Sequence, residues 1–154
     1  MKFKTFLAGC LGGLLSLNSC TNSPDMTDYT AYVNPFIGTG GHGHTFPGAI
    51  VPHGMISPSP DTRIDGWDAC SGYYYADSTI NGFSHTHLSG TGCCDYGDVL
   101  LMPTVGEQKY LPTGSQSQQM AYASAFSHQN ETAEPGYYSV FLDTYQVKAE
   151  LTAS

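Results

Sequence analysis

Between Tyr32 and Pro60 this chain never runs more than three residues without a glycine or a proline. Glycine inside a helix or strand costs roughly 0.5–1 kcal/mol relative to alanine, and an interior proline costs a helix about 3 kcal/mol. Long helices are therefore excluded here. Pro35, Pro47, Pro52, Pro58 and Pro60 point instead to edge strands and turns. Beyond the first twenty residues no helical apolar period is sustained and no internal repeat is visible.

Asp61 to Asp98 concentrates the chemistry. It reads Asp61-Thr-Arg-Ile-Asp-Gly-Trp67-Asp-Ala-Cys70-Ser-Gly-Tyr73-Tyr74-Tyr75, then Ile80-Asn-Gly-Phe-Ser-His85-Thr-His87-Leu-Ser-Gly-Thr-Gly-Cys93-Cys94-Asp95-Tyr-Gly-Asp98. The single tryptophan lies here, with two of six histidines and three of five cysteines. Acids recur at Asp61, Asp65, Asp68, Asp95 and Asp98. Aromatics interleaved with Gly and Ser describe loops carried on strands, where binding groups gather. Such a face suits a sugar, whose C–H faces stack on Trp or Tyr and whose hydroxyls need polar partners.

Together with Tyr32-Val-Asn-Pro-Phe-Ile-Gly-Thr-Gly-Gly-His42-Gly-His44-Thr-Phe-Pro-Gly48 and Val51-Pro-His-Gly-Met55, this stretch resembles the N-terminal domain of the family 92 glycoside hydrolases. These are calcium-dependent, exo-acting α-mannosidases, and the resemblance runs from about Tyr32 to the last residue. It implies an all-β fold, an antiparallel β-sandwich of the kind that precedes an α/α barrel. It also implies inverting hydrolysis of α-mannosidic bonds in mannose-containing glycans such as N-glycans and mannans. In the family a Glu acid and an Asp base act on the bond while calcium holds the 2- and 3-hydroxyls of the terminal mannose. Those groups come mostly from a C-terminal catalytic domain, so no acid of this chain is assigned a catalytic role. Here the resemblance implies one wall of the terminal-sugar subsite, with Trp67 stacking and Asp68, Cys70, His85 and His87 near it.

Residues 1–19 read as a lipoprotein signal peptide. Lys2 and Lys4 precede an apolar stretch, Phe6 to Leu17, too short to span a bilayer. Leu17-Asn-Ser19-Cys20 resembles a bacterial lipoprotein cleavage box, although Asn18 departs from the small residue usual there. An ordinary signal peptide cut elsewhere is the alternative. Lipid on Cys20 would anchor the protein at a bacterial envelope membrane. Residues 20–31 read as a flexible tether and 32–154 as the β domain, expected to be incomplete. After cleavage, Arg63, Lys109 and Lys148 are the remaining bases against thirteen acids, ten net negative charges. That excludes nucleic acid as a partner and is compatible with neutral sugars and cations.

Tyr138, Val140 and Leu142 alternate with Tyr137, Ser139 and Phe141, the period of a strand. Asp143-Thr144 can turn the chain, and Val147, Ala149 and Leu151 alternate with Lys148 and Glu150 as a half-solvated strand would. Pro135-Gly136 signals a turn before the pair. Asp98 to Met102, closed by Pro103, reads as a buried strand, and Ala121 to His128 as another strand. Gln108 to Gln119 reads as an exposed loop.

The polar features carry alternatives. His42-Gly-His44 and His85-Thr-His87 each offer two imidazoles two residues apart, which share a face on a strand and fit one metal. Histidines that hold loops by hydrogen bonds are the simpler reading, and direct sugar contact is a third. Cys70 could pair with Cys93 or Cys94 in an oxidising compartment, or all three could be packed thiols. Trp67 is either a core residue or a sugar platform. Asp beside Gly is usually turn chemistry, which covers Asp65, Asp95 and Asp98. Two further functions stay open: a stand-alone carbohydrate-binding lipoprotein, and a zinc-dependent hydrolase built on the His-x-His pairs.

Overall fold

A computed structural model describes residues 27–63, 65–94, 97–107 and 119–153. Among these residues the regular structure is antiparallel strand, with three short 3-10 turns at Tyr29–Tyr32, Trp67–Ala69 and His128–Asn130. The strands are β1 (Ser59–Asp61), β2 (Thr79–Ile80), β3 (Gly82–Ser84), β4 (Ser124–Ala125), β5 (Glu131–Glu134), β6 (Tyr137–Leu142) and β7 (Val147–Thr152). They form three small sheets, ordered β1-β3, β2-β4 and β5-β6-β7. The all-β, antiparallel class expected of the family domain is what the chain adopts. The signal, Cys20, most of the tether and residues 108–118 lie outside the described residues.

The three-stranded sheet follows its sequence pattern. Tyr138, Val140 and Leu142 are fully buried, and on β7 Ala149 is buried between exposed Lys148 and Glu150. Burying each of the large side chains stabilises the fold by about 1.5–3 kcal/mol. Pro135-Gly136 makes the β5–β6 turn, with Gly136 at φ +76°. Residues 143–146 make the β6–β7 turn, closed by a bond from Gln146 Nε2 to the Asp143 carbonyl, 2.7 Å. β5 is absent from a reading based on apolar alternation, because one of its inward positions is Glu131.

Glu131 is the polar centre of the core. Its carboxylate is 1% exposed and accepts from the Tyr138 hydroxyl at 2.6 Å, the Tyr73 hydroxyl at 3.0 Å and His128 Nδ1 at 2.6 Å. His128 Nε2 donates to the Tyr75 carbonyl at 2.6 Å, and its ring stacks on Tyr75 with centroids 4.1 Å apart. Around this group pack Phe46, Ile80, Phe83, Phe126, Val140 and Leu142. The core therefore joins the Tyr73–Ile80 segment to the three-stranded sheet.

Two expected strands come out shorter. Asp98 to Met102 makes one antiparallel bridge, Phe83 with Leu101, through two bonds of 2.8 and 2.9 Å. Val99 sits at φ +55°, outside strand geometry, and Val99 and Leu101 face solvent. Asp98 is held by Thr86 instead, its N–H bonded to Oγ1 at 3.0 Å. Ala121 to His128 contributes only β4 before Ser127 caps the 3-10 turn at His128.

Removing the buried acceptor leaves two phenols and His128 Nδ1 without a partner. Glu131→Ala is expected to lower stability in urea by about 3–5 kcal/mol, and Glu131→Gln by less, since the amide oxygen still accepts. A Glu131→Ala variant as stable as wild type would overturn this account.

Alkali gives a second check. Burial first, and then the Glu131 charge, push the Tyr73 and Tyr138 phenols above the ordinary tyrosine range. A raised folded-state value means the native protein holds protons that the unfolded chain releases above about pH 10. This contribution is complete below pH 10 and lost as pH rises further. Unfolding free energy should decline above pH 10, and less steeply in Tyr73→Phe.

Candidate functional site

The 3-10 turn at Trp67–Ala69 begins after Gly66 at φ +96° and turns the indole outward, leaving Trp67 58% exposed. Two histidines flank it. The His44 ring meets the indole edge-on with centroids 4.4 Å apart, and the His42 ring lies tilted at 4.9 Å. Gly43 between them allows this. A Cβ there would fall 2.1 Å from the Gly38 carbonyl oxygen, so only glycine lets the loop fold back this tightly. Asp68, next to the tryptophan, accepts from His42 Nδ1 at 2.7 Å. Both side chains stay substantially exposed.

Behind this rim is a cleft whose lining includes Asp61, Arg63, Cys70, Gly72, His87 and Cys94. Its floor is a buried polar network. His87 Nδ1 donates to the Ser57 carbonyl at 2.7 Å, while Nε2 lies 2.9 Å from Asp61 Oδ1 and 3.0 Å from Ser84 Oγ. The ring thus spans a backbone carbonyl and a carboxylate, with both side chains largely buried. Asp61 Oδ2 accepts from the Ser84 N–H at 2.9 Å. Gly72, at φ +92°, passes so close that a Cβ would sit 2.3 Å from Asp61 Oδ1. On the cleft wall, Arg63 forks onto Asp77 with bonds of 2.7 and 2.8 Å and lies 4.4 Å over the Tyr74 ring. The bonds to Asp77 raise its already high proton affinity, so it is a permanent cation.

The residues singled out from sequence therefore fall in two adjacent groups. Trp67 and Asp68 form the rim with His42 and His44. Cys70, buried, and His87 belong to the cleft with Asp61. His85 joins neither: its Nδ1 donates to the Val99 carbonyl at 2.8 Å, which holds the loop after β3. His85 and His87 thus diverge, and that pair does not face one ion. His42 and His44 converge although they lie on a turn, because both pack on Trp67. A core position for Trp67 is ruled out by its exposure. Cys70 and Cys93 are free thiols, and Cys94 Sγ donates to the Gly66 carbonyl at 3.3 Å. Asp61 and Arg63 were not picked out as site residues from sequence; a charged residue of each sign two positions apart, just before Gly-Trp-Asp, was the available signal.

Among the described residues, His42, His44 and Asp68 are the one group of three possible metal-ligating side chains found close together, each bringing a ligand atom within 4.8 Å of the others. Calcium takes six to eight oxygens. Two imidazole nitrogens and one carboxylate do not fit that requirement, so this cluster is not a calcium site.

Residues 32–154 match the glycosyl hydrolase family 92 N-terminal domain. A family 92 α-mannosidase of Bacteroides thetaiotaomicron, solved in complex with mannoimidazole, is 50% identical, with a TM-score of 0.75 over 81% of this chain and 16% of its own. An inverting family 92 mannosidase of the same species is 32% identical, with a TM-score of 0.61 over 80% of this chain and 16% of its own. An uncharacterised secreted glycosidase of Arthroderma benhamiae is 32% identical over 82% of this chain and 16% of its length. The chain thus spans about a sixth of the length of these relatives. A match covering everything from Tyr32 onward, with half the residues shared with a solved mannosidase, leaves one assignment: the chain belongs to glycoside hydrolase family 92 and carries that family's N-terminal domain.

Proposed function

We propose that this domain supplies one wall of the terminal-sugar subsite of an α-mannosidase acting on mannose-containing glycans. The observation that carries the reading is Trp67, an indole left 58% exposed on a rim, with the Asp68 carboxylate beside it, in a chain half identical to a mannosidase that binds mannoimidazole. The indole face takes the C–H face of a pyranose, and Asp68 accepts from its hydroxyls. Cys70 and His87 shape the cleft behind. His85 acts through the loop it anchors.

Glycoside hydrolysis needs two separated carboxyl groups, one giving a proton and one taking it. Asp61 is the carboxylate among the described residues lining the cleft, and His87 and the Ser84 N–H occupy it. Acid, base and calcium are therefore assigned to a C-terminal catalytic domain of the full-length protein, and the fragment alone is read as inactive. Tyr32, Ile37, Met55 and Val99 are all more than half exposed, apolar side chains available to pack against such a domain.

The domain limits, 1–19, 20–31 and 32–154, and attachment to a bacterial envelope membrane through lipid on Cys20 belong to the same reading. The secreted relative supports an extracytoplasmic location.

In the full-length protein, Trp67→Ala should reduce kcat/KM for mannose release from α-1,2-linked mannobiose by about 1–3 kcal/mol of transition-state stabilisation. The melting temperature should stay near wild type. Activity that merely tracks the folded fraction would sink the platform role.

Wild-type cells should incorporate labelled fatty acid into the protein and Cys20→Ala cells should not. Equal labelling of the two would contradict the lipid anchor.

A further inference from the structure

We infer that His42, His44 and Asp68 form a binding site for a divalent transition-metal ion of the zinc class, at the edge of Trp67. The inference goes beyond the sugar-wall reading and shares Asp68 and the edge of Trp67 with it. Three observations carry it. First, the three side chains place ligand atoms within 4.8 Å of one another. Ligands held at about 2.0–2.2 Å from one ion in a tetrahedron lie roughly 3.3–3.6 Å apart, so small side-chain rotations close the set. The His42 side chain is 71% exposed and Asp68 is 42% exposed, and the 2.7 Å bond they share is one an ion would replace.

Second, His44 is 7% exposed and its Nε2 has no hydrogen-bond partner, alone among the buried side-chain nitrogens and oxygens of the described residues. A buried polar atom without a partner costs stability unless something binds it. His44 is also held at φ +53°, with its carbonyl fixed by the Gly90 N–H at 2.7 Å, and its ring packs edge-on against Trp67.

Third, the donor set selects the ion. Two imidazoles and one carboxylate suit zinc and its neighbours, whereas calcium and magnesium want oxygens. The exposed side of His42 leaves a fourth position open to water or to a ligand hydroxyl. Trp67 covers the other side, packed on both rings. The chain's net charge of −8 favours cations in general.

The test uses the full-length protein, stripped with chelator and titrated with Co(II) alone under visible spectroscopy. Wild type is expected to take up one more equivalent of Co(II) than His42→Ala, with a d–d band that Zn(II) abolishes. Asp68→Asn should weaken that equivalent at least about tenfold, since even groups supporting a metal ligand are worth that much. His44→Ala alters a buried position, so the surface variants His42→Ala and Asp68→Asn decide the matter. Equal Co(II) stoichiometry and affinity in wild type and both surface variants would overturn the site. Neither outcome bears on Trp67 as a sugar platform, which its own alanine variant tests.

Discussion

A single carboxylate, Glu131, ties the two halves of this domain together. It accepts from Tyr138 on β6, from Tyr73 in the loop-rich half and from His128, whose other nitrogen reaches the Tyr75 carbonyl. A buried ionised group is tolerable only when every lone pair has a donor. The arrangement therefore works as a unit. Lose one donor and the charge keeps only two; lose the charge and three donors lose their acceptor. The apolar residues around it would tolerate many arrangements, whereas this network admits one.

The cleft repeats the device on a smaller scale. In both places an imidazole bridges a backbone carbonyl and a carboxylate: Tyr75, His128 and Glu131 in the core, Ser57, His87 and Asp61 under the cleft. Each bridge joins segments distant in sequence. Four of the seven strands are only two or three residues long, so strand ladders do little to hold the loop-rich half. The imidazole bridges, with Arg63 forked onto Asp77, supply the fixed points instead. Trp67 is presented on a loop beside these bridges, with the Asp61–His87 network under the neighbouring cleft.

What sequence made legible follows from which forces act locally. The β6–β7 hairpin was readable because alternation and turn chemistry both lie within a few residues. Trp67 stayed open between core and platform, because the polar neighbours Gly66 and Asp68 suit a turn but do not fix where the indole points; the structure turns it outward. β5 was hidden because its inward side chain is a charge that becomes acceptable only with Tyr73, some sixty positions earlier. Asp98 to Met102 misled because a left-handed Val99 breaks the run, and nothing in an apolar string announces that. The histidine pairs were the hardest. Equal spacing gave divergence at His85 and His87 and convergence at His42 and His44, since the backbone at each pair, not the interval, sets where the rings go.

The outward tryptophan has one more consequence. Being the sole indole of these 154 residues, it makes the domain's tryptophan fluorescence, excited where the tyrosines do not absorb, a report on the rim. Its emission should be that of a wet indole even in the native state, partly quenched by the two imidazoles against it. Unfolding would shift its colour little but relieve that quenching, while a guest settling on the ring would shift its colour. The optical probe of this domain is built in at the rim, not in the core.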